Sequence, residues 1–209
     1  MTIFSRRGAA LALLSLWSAS TLTGCAALLL GGAVVGGTMV ATDRRSAGTQ
    51  LEDQLIEGKA ATKIRDLLGE RGKVAATSYN RLVLLTGDVV TESDKAGVEQ
   101  AVARVDSVRS VVNELAVGGS ASLSTRSNDA LLSTKVKASI VDAKGLYANS
   151  IKVVTERGVV YMLGRVTEQE ATQAANVARG VSGVNKVVRV FDILTEAELA
   201  EIQPKAATK

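Results

Sequence analysis

The chain of 209 residues has no histidine, one cysteine and one proline, and only 3% of it is aromatic. Each shortage removes a class of chemistry. Without His there is no imidazole base for a serine or cysteine nucleophile, no His ligand for zinc and no imidazole proton shuttle. A lone Cys closes no intrachain disulfide and builds no Cys-rich metal site. So few rings leave little for base-stacking platforms or an aromatic ligand cage. No Gly-rich phosphate loop follows a strand, the basic residues are dispersed, and no catalytic constellation stands out. The expectation is a chain that is not an enzyme, with no catalytic residues, no metal, no cofactor and no nucleic-acid partner.

What is present starts at the N-terminus. Met1 to Arg7 is short and basic, Ala9 to Trp17 is mostly apolar, and small and polar residues lead to Leu22-Thr23-Gly24-Cys25. Charge followed by an apolar run too short for a usual span reads as a secretory signal. The four residues ending in Cys25 resemble a bacterial lipobox. The resemblance implies a signal peptide over 1–24, cleavage before Cys25, and lipid attachment (palmitate among the acyl chains) at that cysteine. Ala26, in place of Asp, implies sorting to the outer membrane. Two other readings are an ordinary buried thiol at Cys25 and a membrane span within the uncharged stretch 8–42. Glycines and polar residues interrupt that stretch at 18–24 and again at Gly31, Gly32, Gly36 and Gly37. Residues 25–45 read as a lipidated, Gly-rich tether, and two or more acyl chains hold a protein stably where one is marginal.

The remainder is an internal repeat. Val74–Gly87 lines up with Ile151–Gly164 at an offset of 77, and Val90-Thr91-Glu92 matches Val166-Thr167-Glu168 at 76. Val105–Val112 matches Val181–Val188 at that same offset. Thr62-Lys63-Ile64-Arg65 pairs with Thr134-Lys135-Val136-Lys137, which puts about five extra residues in the second copy's first loop. Within the second copy, Leu132, Val136 and Ile140 recur every four residues as one helical stripe, with Ser127, Asn128 and Asp129 as candidate N-caps. Alternation in Ile151–Thr155, the turn Arg157-Gly158 and the run Val159–Leu163 predict a hairpin, its second strand ended by Gly164. Thr167-Glu168-Gln169-Glu170 fits a capping box, and Gly180 closes the helix that it opens. The order is αββαβ: an α+β fold with helices packed on a small three-stranded mixed sheet, made twice.

An αββαβ unit containing Gly158-Val-Val-Tyr-Met-Leu-Gly164 and the valine-rich segment Val181–Val188 resembles a BON domain. Two of them behind a lipobox resemble the dual-BON outer-membrane lipoproteins of the DolP type. Asp43–Gln50 and Ser127-Asn128-Asp129 resemble the segments that open the two domains in that family. The expected organisation is BON domain 1 over 46–117, a linker over 118–126, BON domain 2 over 127–195 and a C-terminal tail over 196–209.

The resemblance implies a lipid-anchored protein on the periplasmic face of the outer membrane. It further implies anionic phospholipid binding through the first helix of domain 2, and support of membrane integrity. Charge agrees in part: residues 43–124 carry 11 basic and 12 acidic side chains, whereas residues 125–196 carry 10 and 7. Leu131, Thr134, Lys135, Lys137 and Ala138 are the candidate phospholipid-binding residues. An apolar tip can enter the headgroup boundary while lysines stay at phosphate depth. Leu131 stands where relatives can carry an aromatic anchor. The plainer alternative packs Leu131 under the linker and leaves the lysines as a solvated face. At the level of function, the alternative is an adaptor for an envelope protein partner in an assembly or stress-response machine.

Overall fold

The computed structural model describes residues 43–202. Cys25 and the whole signal segment lie outside them.

Helix α1 (Ala47–Leu68) starts at Ser46, whose hydroxyl accepts the Thr49 N–H, and buries Asp53, Ile56, Ala60, Ile64 and Leu68 along one side. That side packs on the hairpin of β1 (Gly72–Tyr79) and β2 (Leu82–Val89). Helix α2 (Glu92–Ala103), capped by the Thr91 hydroxyl, leads to β3 (Ser110–Asn113) and β4 (Ala116–Val117), both parallel to β2. The first sheet therefore has four strands, one more than expected, because its last strand is interrupted. The cause is local: Asn113 Oδ1 accepts the Leu115 N–H while its Nδ2 donates to the Lys95 carbonyl. A side chain that takes up a backbone donor in this way competes with the ladder. Leu115 is freed to turn into the core.

The second unit comprises α3 (Leu123–Asp142), a 3-10 turn (Ala148–Ser150), β5 (Ile151–Glu156), β6 (Val159–Thr167), α4 (Glu168–Arg179) and β7 (Lys186–Leu194). Here β5 runs antiparallel and β7 parallel to β6, giving the expected three-stranded mixed sheet. The Thr167–Glu170 capping box forms at α4. Strand β6 does not stop at Gly164 but continues to Thr167. A Cβ at Gly164 would meet the Ser150 carbonyl oxygen, so this glycine permits close strand approach rather than termination. The expected tail contains α5 (Glu196–Ile202).

Three expected boundaries shift. Ser122, not Ser127–Asp129, caps α3, because its hydroxyl accepts the Thr125 N–H. The linker is thus 118–122, and residues 123–126 are helical rather than linker. Asp43, Arg44 and Arg45 pack into the globular unit instead of belonging to a tether. Finally, the first helices superpose one turn away from the Thr-Lys match. The buried series Asp53, Ile56, Ala60 and Ile64 corresponds to Asp129, Leu132, Val136 and Ile140, an offset of 76 throughout.

The two aspartates explain that register. Asp53 accepts the N–H groups of Asn80 and Arg81, and Asp129 those of Arg157 and Gly158, all at 2.8 Å. These are the two central residues of each hairpin turn, and all four have positive φ. Such turns fit the strand twist but strain residues other than glycine. A helix carboxylate on both turn donors holds the hairpin to its helix in each copy.

Along β2, Val83 and Leu85 face the first unit's helices, while Leu82 and Leu84 face the other way. Along β6, Val160 and Met162 point to the helices, and Val159, Tyr161 and Leu163 point away. The outward faces meet in one shared core with Tyr79, Val188 and Val190. The result is a helix–sheet–sheet–helix sandwich in which both central strands are buried on two sides. That explains their continuous apolar runs. Leu84 and Leu163 are wholly buried there, each contributing about 1.5–3 kcal/mol by removal from water.

Candidate functional site: the outer face of the second domain's first helix

Helix α3 lies on the outside of the second sheet, with Leu132, Val136 and Ile140 turned into the core. At ~100° per residue, Leu131, Thr134, Lys135 and Ala138 share an arc opposite that stripe. All four are exposed, and Leu131 retains 62% of its accessible surface, so it does not pack under the linker. Lys137 is exposed but sits apart from this arc. It lines a small recess with Arg45, Tyr79 and Lys152 on the helix flank. Neither Lys135 nor Lys137 has an ion-pair partner among the described residues.

Two residues extend the arc that the sequence reading missed. Leu123 is 81% exposed and Val141 is 64% exposed, and both lie along its Thr134 edge. The outer face therefore carries Leu123, Leu131, Ala138 and Val141 over ~27 Å at 1.5 Å per residue. Leu123 escaped notice because the helix was expected to start four residues later.

Beside Leu131 and Lys135 opens a groove of about 450 Å³, closed by the Arg157-Gly158 turn and the Ser182–Asn185 loop. Asp129 lies at its base, occupied by the two turn N–H groups. Near the groove, burial pushes the Glu156 carboxyl above its ordinary value, reinforced by the Asp88 and Asp129 charges against Arg157 and Arg126. Among the described residues no helix is long and apolar enough to cross a membrane, and no three potential metal ligands cluster. The arrangement is suited to surface contact: an apolar ridge, free cations and a polar recess.

The BON domain model matches residues 57–119 and 128–195. The chain belongs to the BON-domain family. It is 39% identical over 176 residues to outer membrane lipoprotein DolP of Haemophilus influenzae, covering 83% of this chain and 90% of that one. It is also 34% identical over 152 residues to a 21 kDa hemolysin of Actinobacillus pleuropneumoniae, covering 72% and 78%. Among solved structures, CdsD, a structural protein of the Chlamydia trachomatis type III secretion system, aligns at 13% identity and a TM-score of 0.29. That alignment covers 71% of this chain and 99% of that one, and so low a score carries no argument. This is a dual-BON protein of the DolP type, and the kinship supports an outer-membrane, lipid-anchored location.

Polar contacts join the two BON domains around the shared core. Arg44 donates two hydrogen bonds to the Glu170 carboxylate and one to the Arg165 carbonyl. Within the first domain, Arg45 lies over the Tyr79 ring at 3.9 Å and pairs with Asp43 and Asp53. Lys152 pairs with Glu57, Arg109 with Asp192, and Arg157 with Asp88. Domain 2 thus meets domain 1 through its sheet, and no described residue covers the outer face of α3.

Proposed function

We propose that this BON-domain protein is a periplasm-facing outer-membrane lipoprotein, anchored through acyl chains on Cys25, that binds anionic phospholipid through α3 and supports membrane integrity. It acts by contact rather than by chemistry. The observation that carries this reading is the exposed ridge of Leu123, Leu131, Ala138 and Val141, flanked by Lys135 and Lys137, which have no ion-pair partner among the described residues. Each lysine near an anionic surface contributes about 1 kcal/mol, so the patch alone gives weak attachment. A covalent lipid anchor turns weak attachment into an intramolecular event at high effective concentration.

The test uses the globular unit, residues 42–209, whose cores are built from its own side chains. It should co-sediment with vesicles containing phosphatidylglycerol and not with phosphatidylcholine alone. Leu131→Glu with Lys135→Glu should abolish that binding. Unchanged co-sedimentation of the double variant would remove α3 from the site.

A further inference from the structure

The groove beside Leu131 contains an arginine that already has one nitrogen engaged. Arg157 Nη2 donates to Asp88 and to the Gly119 carbonyl, the latter at 2.6 Å. Both acceptors lie outside domain 2, one on β2 of domain 1 and one in the linker. Nε and Nη1 have no partner among the described residues, and the side chain is 41% exposed. Lys135 lines the same groove, together with the amide side chains of Asn128 and Asn185. Asp129, the groove's carboxylate, accepts from two backbone N–H groups, and Arg157 pairs with Asp88, so Lys135 is the groove's one cation without a carboxylate partner among the described residues.

We propose that this groove receives the phosphodiester of an anionic phospholipid, with Arg157 as a headgroup ligand that domain 1 holds in position through Asp88. The inference rests on the membrane reading above and deepens it. Guanidinium has five donors; with both Nη2 protons on Asp88 and Gly119, the Nε–H and the two Nη1 N–H groups remain to donate to phosphate oxygens. A fork already fixed by a buried carboxylate loses less side-chain freedom when the headgroup arrives. Leu131 on the groove rim places the acyl region beside the phosphate. The second domain's lipid site is then completed by the first domain, which gives the fused pair a property that neither copy has alone.

The sign of one substitution separates this from simple electrostatics. Asp88→Asn removes a negative charge near the site, so field effects alone would tighten binding to an anionic vesicle. Loss of positioning instead weakens it, by about threefold to fivefold if the contact is worth what partly exposed ion pairs usually are. Because Asp88 also accepts the Ala121 N–H, a second variant, Arg157→Lys, keeps the charge and loses the fork. Binding of the globular unit to phosphatidylglycerol vesicles should fall for both variants, with Gly158 and Lys135 amide resonances shifting on vesicle addition to wild type. Wild-type or tighter binding by both variants would overturn the proposal while leaving the membrane reading intact. Failure of wild type to bind at all would remove the membrane reading itself. Inorganic phosphate should leave those resonances in place, and a matching shift with it would reassign the groove to a soluble anion and overturn the lipid assignment.

Discussion

Arg44 and Glu170 form a two-pronged ion pair, both N–O separations 2.6 Å, across 126 residues of chain. The Arg44 side chain is fully excluded from solvent and also donates to the Arg165 carbonyl. Glu170 closes the capping box of α4 as well, accepting the Thr167 N–H. One carboxylate therefore ties the segment that enters domain 1 to a helix start in domain 2.

Removing either partner should destabilise the globular unit, because an uncompensated buried charge is left behind. Glu170→Ala strands the guanidinium and removes the Thr167 cap contact together, so it should cost more than Arg44→Ala. We expect about 2–4 kcal/mol for Arg44→Ala, somewhat below the ~3–5 kcal/mol of fully buried broken pairs because Glu170 is not wholly buried. Urea unfolding midpoints measure both. Equal stability of wild type and Arg44→Ala would show that the pair does not couple the domains.

Much of this architecture can be read in the sequence because the signals are local. The 76–77 offset, the αββαβ order and the Thr167–Glu170 box each need only a short window. The first-helix register was not legible. Thr62-Lys63 and Thr134-Lys135 look alike but lie on solvated faces, whereas the aligned Asp53 and Asp129 are identified by turns 27 and 28 residues further on. Nor could the partner of the second face of β2 and β6 be foreseen. An apolar run reports burial on both sides without saying what covers it.

Acid should act on Asp53. Burial pushes its carboxyl up, but hydrogen bonds from Ser78, the Arg81 N–H, Arg45 and the Asn80 N–H outweigh burial and hold it below the usual carboxylate range. A depressed folded value means stabilisation that is complete above the unfolded value, about 4, and is lost as pH falls through the folded value. Stability of the unit should therefore drop steeply below pH of about 4. Asp53→Asn should be less stable at pH 7 and show a shallower fall. Parallel pH curves for the two proteins would contradict this assignment.

Glu156 has the opposite sign. Its carboxyl is raised, first by burial and then by Asp88 and Asp129. Folding therefore disfavours its charge, and that penalty is complete above the folded value and absent below the unfolded value of about 4.3. Glu156→Gln should unfold at a higher urea concentration than wild type at pH 7. The advantage should shrink as pH falls toward about 4. A destabilised Glu156→Gln at neutral pH would mean that the carboxylate accepts contacts outweighing its repulsion.

The α3 ridge separates apolar from electrostatic contributions to membrane attachment. Salt screens exposed lysines over ~10 Å at 0.1 M but leaves burial of leucine little changed. If both act, sodium chloride should weaken vesicle binding of wild type, and Leu123→Asp should weaken it further at every salt concentration. Leu123 is the most exposed large apolar residue of the described chain, so its replacement costs the fold little. Leu131→Trp tests the same ridge from the other direction, since an indole ring is favoured at membrane interfaces over an aliphatic one. It should raise affinity several-fold and move tryptophan emission to shorter wavelength on vesicle addition. The globular unit has no other tryptophan to obscure that signal. Emission that stays put while binding persists would place the contact on another face. A blue shift retained at high salt would show that the apolar ridge, not the lysine charge, holds the helix at the bilayer.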